Sequence, residues 1–223
     1  RQIGGTSPMF LRVASDGTTT SAARQLRRTL EAHETATAAR PGPVPVLGTR
    51  DELYAELHAR LEAPPPRLSP YDRDVMMHSA AKEAHARGHA AAWKRLRPGL
   101  IAEMLRFYDQ LRRQARNIER FEELVAETLS RDAEYDRGAE RLLAQTKFLI
   151  AAFRGYEARV RTSGALDEHA LRERLMSEPV REPLREIVVT VADWIADPAG
   201  LYLADFELLT RIPGLESIDL VAT

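Results

Sequence analysis

From residue 49 onward the apolar positions recur at the spacing of an α-helix, which predicts a series of helices separated by proline and glycine. A capping-box sequence from Thr49 to Glu52 starts the first helix, and three consecutive prolines end it. Ser69 followed by Pro70 starts the second helix, which extends to about residue 87. Residues 49 to about 87 are therefore predicted to form two helices separated by the three prolines.

Three further helices are predicted between Pro98 and Gly164. The first begins at Pro98-Gly99, the second is capped by Asn117, and the third ends at Ser163-Gly164, which is a typical C-terminal glycine signal. The third helix carries the longest apolar pattern in the chain, formed by Leu142, Leu149, Phe153, Tyr156 and Val160. A short helix over about residues 167 to 176 completes the helical region.

After Pro179 the pattern changes from the helical period to that of strands. The β-branched run from Ile187 to Val191 predicts a buried strand, Leu203 to Thr210 predicts a short helix, and Ile218 to Val221 predicts a second strand. This strand-helix-strand piece lacks the rest of its sheet, because two strands cannot form an independent domain.

The expected fold class is mainly α, with a small C-terminal α/β piece. We divide the chain into residues 49–177 as a helical subdomain and residues 178–223 as the α/β piece. Residues 1–48 are poorly defined, and one helix from about Ser21 to Ala38 is predicted within them.

The composition is that of a soluble globular protein, with 223 residues, 44% of them hydrophobic and 29% charged. Cysteine is absent, which excludes disulfides, thiolate metal sites and cysteine nucleophiles. The sequence contains neither a long uncharged apolar run nor a signal-peptide pattern, so we expect a cytoplasmic protein that does not contact a membrane.

Several kinds of active site are missing from the sequence. A phosphate-binding loop needs a Gly-Lys dipeptide, and none occurs; the Gly-x-Ser-x-Gly sequence of many hydrolases is also absent. A PD-(D/E)XK nuclease site needs an acidic residue two positions before a lysine, and none of the three lysines has one. These absences exclude a nucleotide hydrolase built on this chain alone, the common hydrolase elbow and a PD-(D/E)XK active site.

Two histidines, His85 and His89, lie four residues apart, a spacing that can place two imidazoles on one helix face as metal ligands. An independent metal enzyme would depend on them. Gly88 intervenes at the expected end of the helix, and no acidic residue completes a known motif, so we interpret them as surface histidines and predict no metal ligand.

Charge is distributed unevenly along a chain whose net charge is only −1. Residues 91–120 contain eight basic and three acidic residues, and residues 121–140 contain two basic and seven acidic ones. If the helix continued, Arg112, Arg116 and Arg120 would form a row four residues apart that could follow phosphates. Alternatively, the basic stretch pairs internally with the acidic one. The candidate DNA-binding residues are Lys94, Arg95, Arg97, Arg106, Arg112, Arg113, Arg116 and Arg120.

Parts of the sequence resemble a known family. The run from Phe153 to Tyr156, followed by Ser163-Gly-Ala-Leu-Asp167 and a short helix, resembles the helical insertion of the first RecA-like domain in UvrD-like superfamily 1 helicases, often called the 1B subdomain. The stretches 97–109 and 136–149 are similar to AddB-type proteins, the helicase-nuclease subunits of double-strand-break repair that carry a C-terminal PD-(D/E)XK nuclease.

The resemblance implies that the C-terminal piece is the edge of a RecA-like domain and that the chain is a non-catalytic fragment acting in DNA repair and recombination. It would contact DNA or scaffold the helicase core, next to a helicase-nuclease partner subunit. ATP and magnesium are expected only for the parent complex. Ala222 and Thr223 stand where the magnesium-holding acids of an active helicase would begin, so we expect either that this site follows in the parent or that the parent has lost ATP hydrolysis, as AddB-type subunits often have. Tyr108 and Trp93 are candidates for stacking on a base. The alternative is a helical protein-protein interaction module without nucleic-acid binding.

Overall fold

The structure, a computed structural model, describes residues 9–12, 46–89, 96–129, 136–179, 181–191 and 201–222. As the apolar pattern predicts, these residues are mainly α-helical. The strands are β1 (Met9–Arg12), β2 (Val46–Gly48), β3 (Glu186–Val191) and β4 (Ser217–Ala222). The helices are α1 (Arg50–Ala59), α2 (Pro70–Ala86), α3 (Pro98–Arg113), α4 (Ile118–Leu129), α5 (Arg137–Ser163), α6 (Glu168–Ser177) and α7 (Leu203–Leu209). None of the described helices is long and apolar enough to cross a membrane.

The chain divides into two compact units. The first, which we call the sheet unit, combines Arg1–Pro64 with Arg172–Thr223, and the second, the helical unit, is Pro65–Leu171. In chain order the helical unit is thus an insertion between β2 and β3. These limits differ from the division at residues 49 and 177 expected from the sequence, because α1 belongs to the sheet unit.

The sheet unit contains a four-stranded parallel sheet with the order β2-β1-β3-β4. Strand β1 lies beside β3 with Met9 opposite Ile187, and β3 lies beside β4 with Ile187 opposite Ile218. The two strands predicted near the C-terminus are confirmed, but they do not lack the rest of their sheet. Strands β1 and β2 from the first 48 residues complete it, whereas the helix predicted over residues 21–38 lies outside the described residues.

Local signals define the ends of several helices as the sequence predicts. At the start of α1 the Glu52 N–H donates to Thr49 Oγ1 at 3.3 Å, and the Thr49 N–H donates to Glu52 Oε2 at 2.7 Å. Ser69 and Asp72 form the same reciprocal pair at the start of α2. Helix α5 ends at Gly164, which has a φ of 69° that favours glycine.

The core of the helical unit is formed by the facing sides of its helices, and α5 is its longest element, with 27 residues. Helices α2 and α5 approach closely at Gly155, where a Cβ would lie 3.1 Å from the Ala80 Cβ. Aromatic rings join α3 to α5, since the Tyr108 ring lies 5.4 Å from the Phe153 ring and 5.2 Å from the Tyr156 ring. The apolar pattern of α5 is therefore mostly core.

The two ends of the helical unit meet. The Leu68 N–H donates to the Leu166 carbonyl at 2.9 Å, and the Leu166 N–H donates to the Pro66 carbonyl at 2.9 Å. This parallel bridge joins the segment that precedes α2 to the segment that follows α5. The chain thus enters and leaves the helical unit at one place.

We expect Gly214→Ala to lower the free energy of unfolding by about 1–3 kcal/mol. Gly214 has a φ of 84°, and a Cβ at this position would overlap the Pro183 Cβ, so alanine would meet both backbone strain and a clash. Urea denaturation followed by circular dichroism measures the loss. Gly88→Ala is the control, because Gly88 has a similar φ of 87° with no atom within 4 Å of its Cβ position. A loss no larger than that of the control would show that the clash is relieved without cost.

Candidate nucleic-acid interface and two buried polar clusters

The arginine row expected across residues 112–120 is interrupted in the structure. Helix α3 ends at Arg113 and α4 begins at Ile118, with Ala115 between them at a φ of 53°. Asn117 caps α4, since its Oδ1 accepts the N–H of Arg120 at 2.8 Å. The expectation that Arg112, Arg116 and Arg120 share one helix face is therefore wrong.

Two of the candidate arginines, Arg106 and Arg120, are exposed and form ion pairs with neighbours on their own helices. Arg106 contacts Glu103 at 2.8 Å, and Arg120 contacts Glu123 at 2.9 Å. Exposed pairs of this kind contribute little to stability because water screens them. Both side chains can therefore exchange their carboxylate for a phosphate at small cost.

Arg113, by contrast, is held inside the helical unit. Its Nε donates to Glu168 Oε1 at 3.1 Å and its Nη2 donates to Glu168 Oε2 at 2.8 Å. The two side chains are only 27% and 15% exposed. A bidentate, partly buried pair of this kind positions α3 against the start of α6 and is not a phosphate-binding group.

The remaining candidate residues lie in different environments. Arg97 and Arg116 are exposed, and Arg112 is partly buried. Lys94 and Arg95 lie outside the described residues, as does Trp93. Tyr108 is buried, and its hydroxyl donates to Glu157 Oε1 at 3.1 Å, so the expectation that it stacks on a base is wrong. Its ring is already packed in the aromatic core.

A buried polar cluster joins four helices of the helical unit, and we call it the Asp109 cluster. Arg73 donates to Asp109 through Nη2 at 2.6 Å and through Nη1 at 3.2 Å, and His169 Nε2 lies 2.9 Å from Asp109 Oδ1. Arg73 Nε also donates to the Tyr156 hydroxyl at 2.9 Å, which in turn donates to Asp167 Oδ2 at 3.0 Å. The cluster therefore connects α2, α3, α5 and the start of α6.

The Asp109 cluster explains the segment on which the family resemblance rests. Gly164 ends α5, and Asp167 Oδ1 then accepts the N–H groups of His169 and Ala170 at 3.1 and 2.8 Å, which starts α6. The cluster itself could not be predicted from the sequence, because its hydrogen-bonded partners are as far as 83 residues apart. Tyr156, Gly164 and Asp167, which belong to this segment, thus have structural roles.

The chemistry available to the Asp109 cluster is limited by burial. His169 is 1% exposed, so its ring is closed to a substrate despite the adjacent carboxylate. Burial and the nearby Asp167 charge raise the pKa of Tyr156, so that its hydroxyl stays protonated and continues to donate. We conclude that the cluster holds helices together and is not a reaction centre.

Because the pKa of Asp109 is shifted in the folded state, we expect the stability of the protein to depend on pH. Burial raises the pKa of Asp109, but hydrogen bonds from His169 and Arg73 and the Arg73 charge outweigh it, so the pKa lies below its usual 3.8. A carboxylate with a lowered pKa stabilises the fold above about pH 4, and this contribution is lost as the pH falls further through the pKa of the folded state. We expect the free energy of unfolding to fall more steeply below about pH 4 in the wild type than in Asp109→Asn. Urea denaturation from pH 6 to pH 2.5 measures both slopes, and parallel slopes would contradict this expectation.

A second buried cluster, the Asp205 cluster, lies in the sheet unit and joins α1 to α7. Asp205 accepts hydrogen bonds from Arg50 Nε at 2.7 Å, Arg50 Nη2 at 2.9 Å, the Tyr54 hydroxyl at 2.6 Å and the Tyr202 N–H at 2.8 Å. The Arg50 guanidinium lies over the rings of Tyr54 and Tyr202, 4.8 and 5.2 Å from their centroids. Arg50 and Asp205 are 6% and 1% exposed, so the pair is desolvated.

The two histidines considered as metal ligands do not share a helix face. Helix α2 ends at Ala86, and Gly88 turns the chain with a φ of 87° before His89. Within the part of the chain that the structure describes, no group of three histidine, aspartate or glutamate side chains is arranged to hold a metal ion.

No protein-family model matches the chain, and no curated protein matches it. Its function is therefore inferred from its own residues and their arrangement.

Proposed function

We propose that the chain is a non-catalytic part of an AddB-like helicase-nuclease that acts in double-strand-break repair and recombination in the cytoplasm. The observation that supports this most is the chain order. A helical unit, Pro65–Leu171, is inserted between two strands of a parallel sheet. The resemblance to UvrD-like helicases implies this order, since their 1B subdomain is inserted into a RecA-like domain.

The two buried clusters support a scaffolding role within that proposal. Each holds several elements of one unit together through a carboxylate, the half-buried Asp109 in the helical unit and the buried Asp205 in the sheet unit. Interior networks of this kind fix a unique arrangement of helices. In the parent complex, ATP, magnesium and the nuclease site would be contributed by other segments or by a helicase-nuclease partner subunit.

The exposed cations of the helical unit support DNA as the partner. Arg97, Arg106, Arg116 and Arg120 are exposed. The first test is fluorescence anisotropy of a labelled forked duplex titrated with the chain at low and moderate salt. We expect micromolar binding that weakens as salt increases.

A triple variant tests these exposed arginines in the same assay. It combines Arg106→Ala, Arg116→Ala and Arg120→Ala, and we expect it to bind DNA at least threefold more weakly than the wild type. The charge-matched control combines Arg181→Ala, Arg185→Ala and Arg211→Ala, three exposed arginines of the sheet unit, and should change binding less than twofold. Equal effects of the two variants would remove the assignment to these arginines. Flat anisotropy with the wild type would contradict DNA binding altogether.

A second function, docking of a protein partner without nucleic acid, is favoured by one surface feature. Tyr71 and Val75 lie one turn apart on α2, and both are strongly exposed, Tyr71 to 75%. Exposed aromatic side chains are enriched at protein interfaces. Binding of a purified helicase-nuclease partner subunit that is lost in Tyr71→Ser/Val75→Ser, together with flat anisotropy on DNA, would favour this function.

A further inference from the structure

We infer that one exposed face of α5, carrying Lys147, Arg154 and Arg161, binds the phosphate backbone of nucleic acid. The three residues, which we call the α5 row, are seven positions apart. Seven residues are close to two helical turns, so the row lies along one face over about 21 Å, the length of about six base pairs. All three side chains are exposed. The inference rests on the proposed function and assigns a surface to its DNA contact.

Between its three cations the α5 row has only short side chains, and the exposed carboxylate in line with it, Glu140, lies seven positions before Lys147, outside the row. Ala151 and Ala158 occupy the positions between them on this face, and their short side chains permit close approach of a strand. The neighbouring carboxylate Glu157 is engaged, since its Oε1 accepts the Tyr108 hydroxyl at 3.1 Å. The face of α5 is therefore suited to a polyanion.

The helix that carries the α5 row is firmly anchored on its other side. Phe148, Phe153, Tyr156 and Val160 are buried in the core, and Gly155 permits the close contact with Ala80 of α2. Cations on a fixed helix are held in position before a ligand arrives, which reduces the entropy lost on binding. This distinguishes the row from the arginines at 112, 116 and 120, which the turn after α3 separates.

The α5 row can bind phosphates because its cations are not held in strong ion pairs. Among the described residues, neither Lys147 nor Arg161 forms an ion pair. Arg154 pairs with Glu122 of α4, but these side chains are 49% and 46% exposed, so water screens the pair. A phosphate can therefore replace Glu122 as the partner of Arg154.

The test uses the forked-duplex anisotropy assay with the full chain. Lys147→Ala, Arg154→Ala and Arg161→Ala are combined, and we expect at least tenfold weaker binding at low salt. The slope of log K against log salt should become shallower by about 0.9 for each lost phosphate contact. The control combines Lys82→Ala, Arg87→Ala and Arg141→Ala, which removes the same charge from exposed positions off this face and should weaken binding less than threefold. Circular dichroism confirms that both variants fold.

A second pair of variants changes the charge next to the α5 row without touching the row. Glu122→Gln releases Arg154, and we expect it to tighten binding two- to fivefold. Glu127→Gln removes the same charge from an exposed position on the same helix and should have a smaller effect. Equal effects of the two would indicate only a general change in net charge and would count against the role of Arg154.

The outcomes separate the two proposals. If the wild type binds DNA and the α5-row variant binds no more weakly than its control, the inference is overturned while the proposed function stands. If the wild type does not bind DNA, both the DNA contact and the α5 row are overturned. A selective loss with the α5-row variant, with the shallower salt slope, supports both.

Discussion

Replacing Asp205 with asparagine is expected to lower the free energy of unfolding of the sheet unit by about 3–5 kcal/mol, the range for breaking a buried ion pair. An amide has one acceptor oxygen and two donors, so it cannot accept the Arg50, Tyr54 and Tyr202 hydrogen bonds that Asp205 accepts. The buried Arg50 guanidinium would lose the carboxylate that faces it inside the protein. Hydrogen exchange of the full chain, read from peptides of α1 and α7, should show faster exchange in both helices.

The matched control for this prediction is Asp51→Asn. Asp51 is 94% exposed and lies 3.8 Å from Arg50, so it tests the loss of a nearby charge without the loss of buried hydrogen bonds. We expect this control to change stability by less than about 0.5 kcal/mol. A loss in Asp205→Asn no larger than in the control would contradict the interpretation of the cluster as the connection between α1 and α7.

Replacing Asp109 with asparagine is expected to destabilise the helical unit by about 3 kcal/mol, the lower end of the buried-pair range, because Arg73 and Asp109 retain some exposure. The change removes the charge partner of Arg73 and the acceptor for His169. Exchange should increase in α2, α3, α5 and the start of α6 together, since the cluster joins them. Urea denaturation gives the magnitude.

A double-mutant cycle isolates the ion pair itself. With Arg73→Gln as the second change, we expect a coupling energy of about 1–3 kcal/mol at neutral pH. Asp74→Asn is the control, because Asp74 lies next to Arg73 in sequence but is exposed. Additive effects of Arg73→Gln and Asp109→Asn would mean that the pair contributes nothing beyond its separate parts.

The helix ends were predictable because their causes are local. Thr49 and Glu52 are three residues apart, and the glycine that ends α5 immediately follows the last helical turn. Hydrogen-bonded pairs that are only a few residues apart can be recognised from the sequence alone. The strands β3 and β4 were predictable for a similar reason, since β3 contains the β-branched run Ile187–Val191 and β4 places Ile218, Leu220 and Val221 close together.

The features that could not be predicted from the sequence depend on contacts between residues far apart in the chain. Strand β1 has only four residues, too few to show a period, and it becomes a strand by pairing with β3. The turn after α3 contains no glycine or proline, and Ala115 adopts its positive φ without a signal in its own sequence. The role of Arg113 depends on Glu168, 55 residues away. The candidate DNA surface was thus misplaced where a helix was assumed to continue.

The bridge between Leu68 and Leu166 affects the stability of the sheet unit through chain entropy. An unstructured insertion of 107 residues, from 65 to 171, would separate β2 from β3 by a long flexible loop. Because the bridge brings the two ends of the insertion together, only residues 65–68 and 166–171 remain outside the closed loop, a connection of about ten residues. The difference in closure entropy is about 2 kcal/mol, which the fold of the insertion itself supplies. Loss of helical structure between residues 65 and 171 would therefore weaken the parallel sheet without removing any of its own contacts.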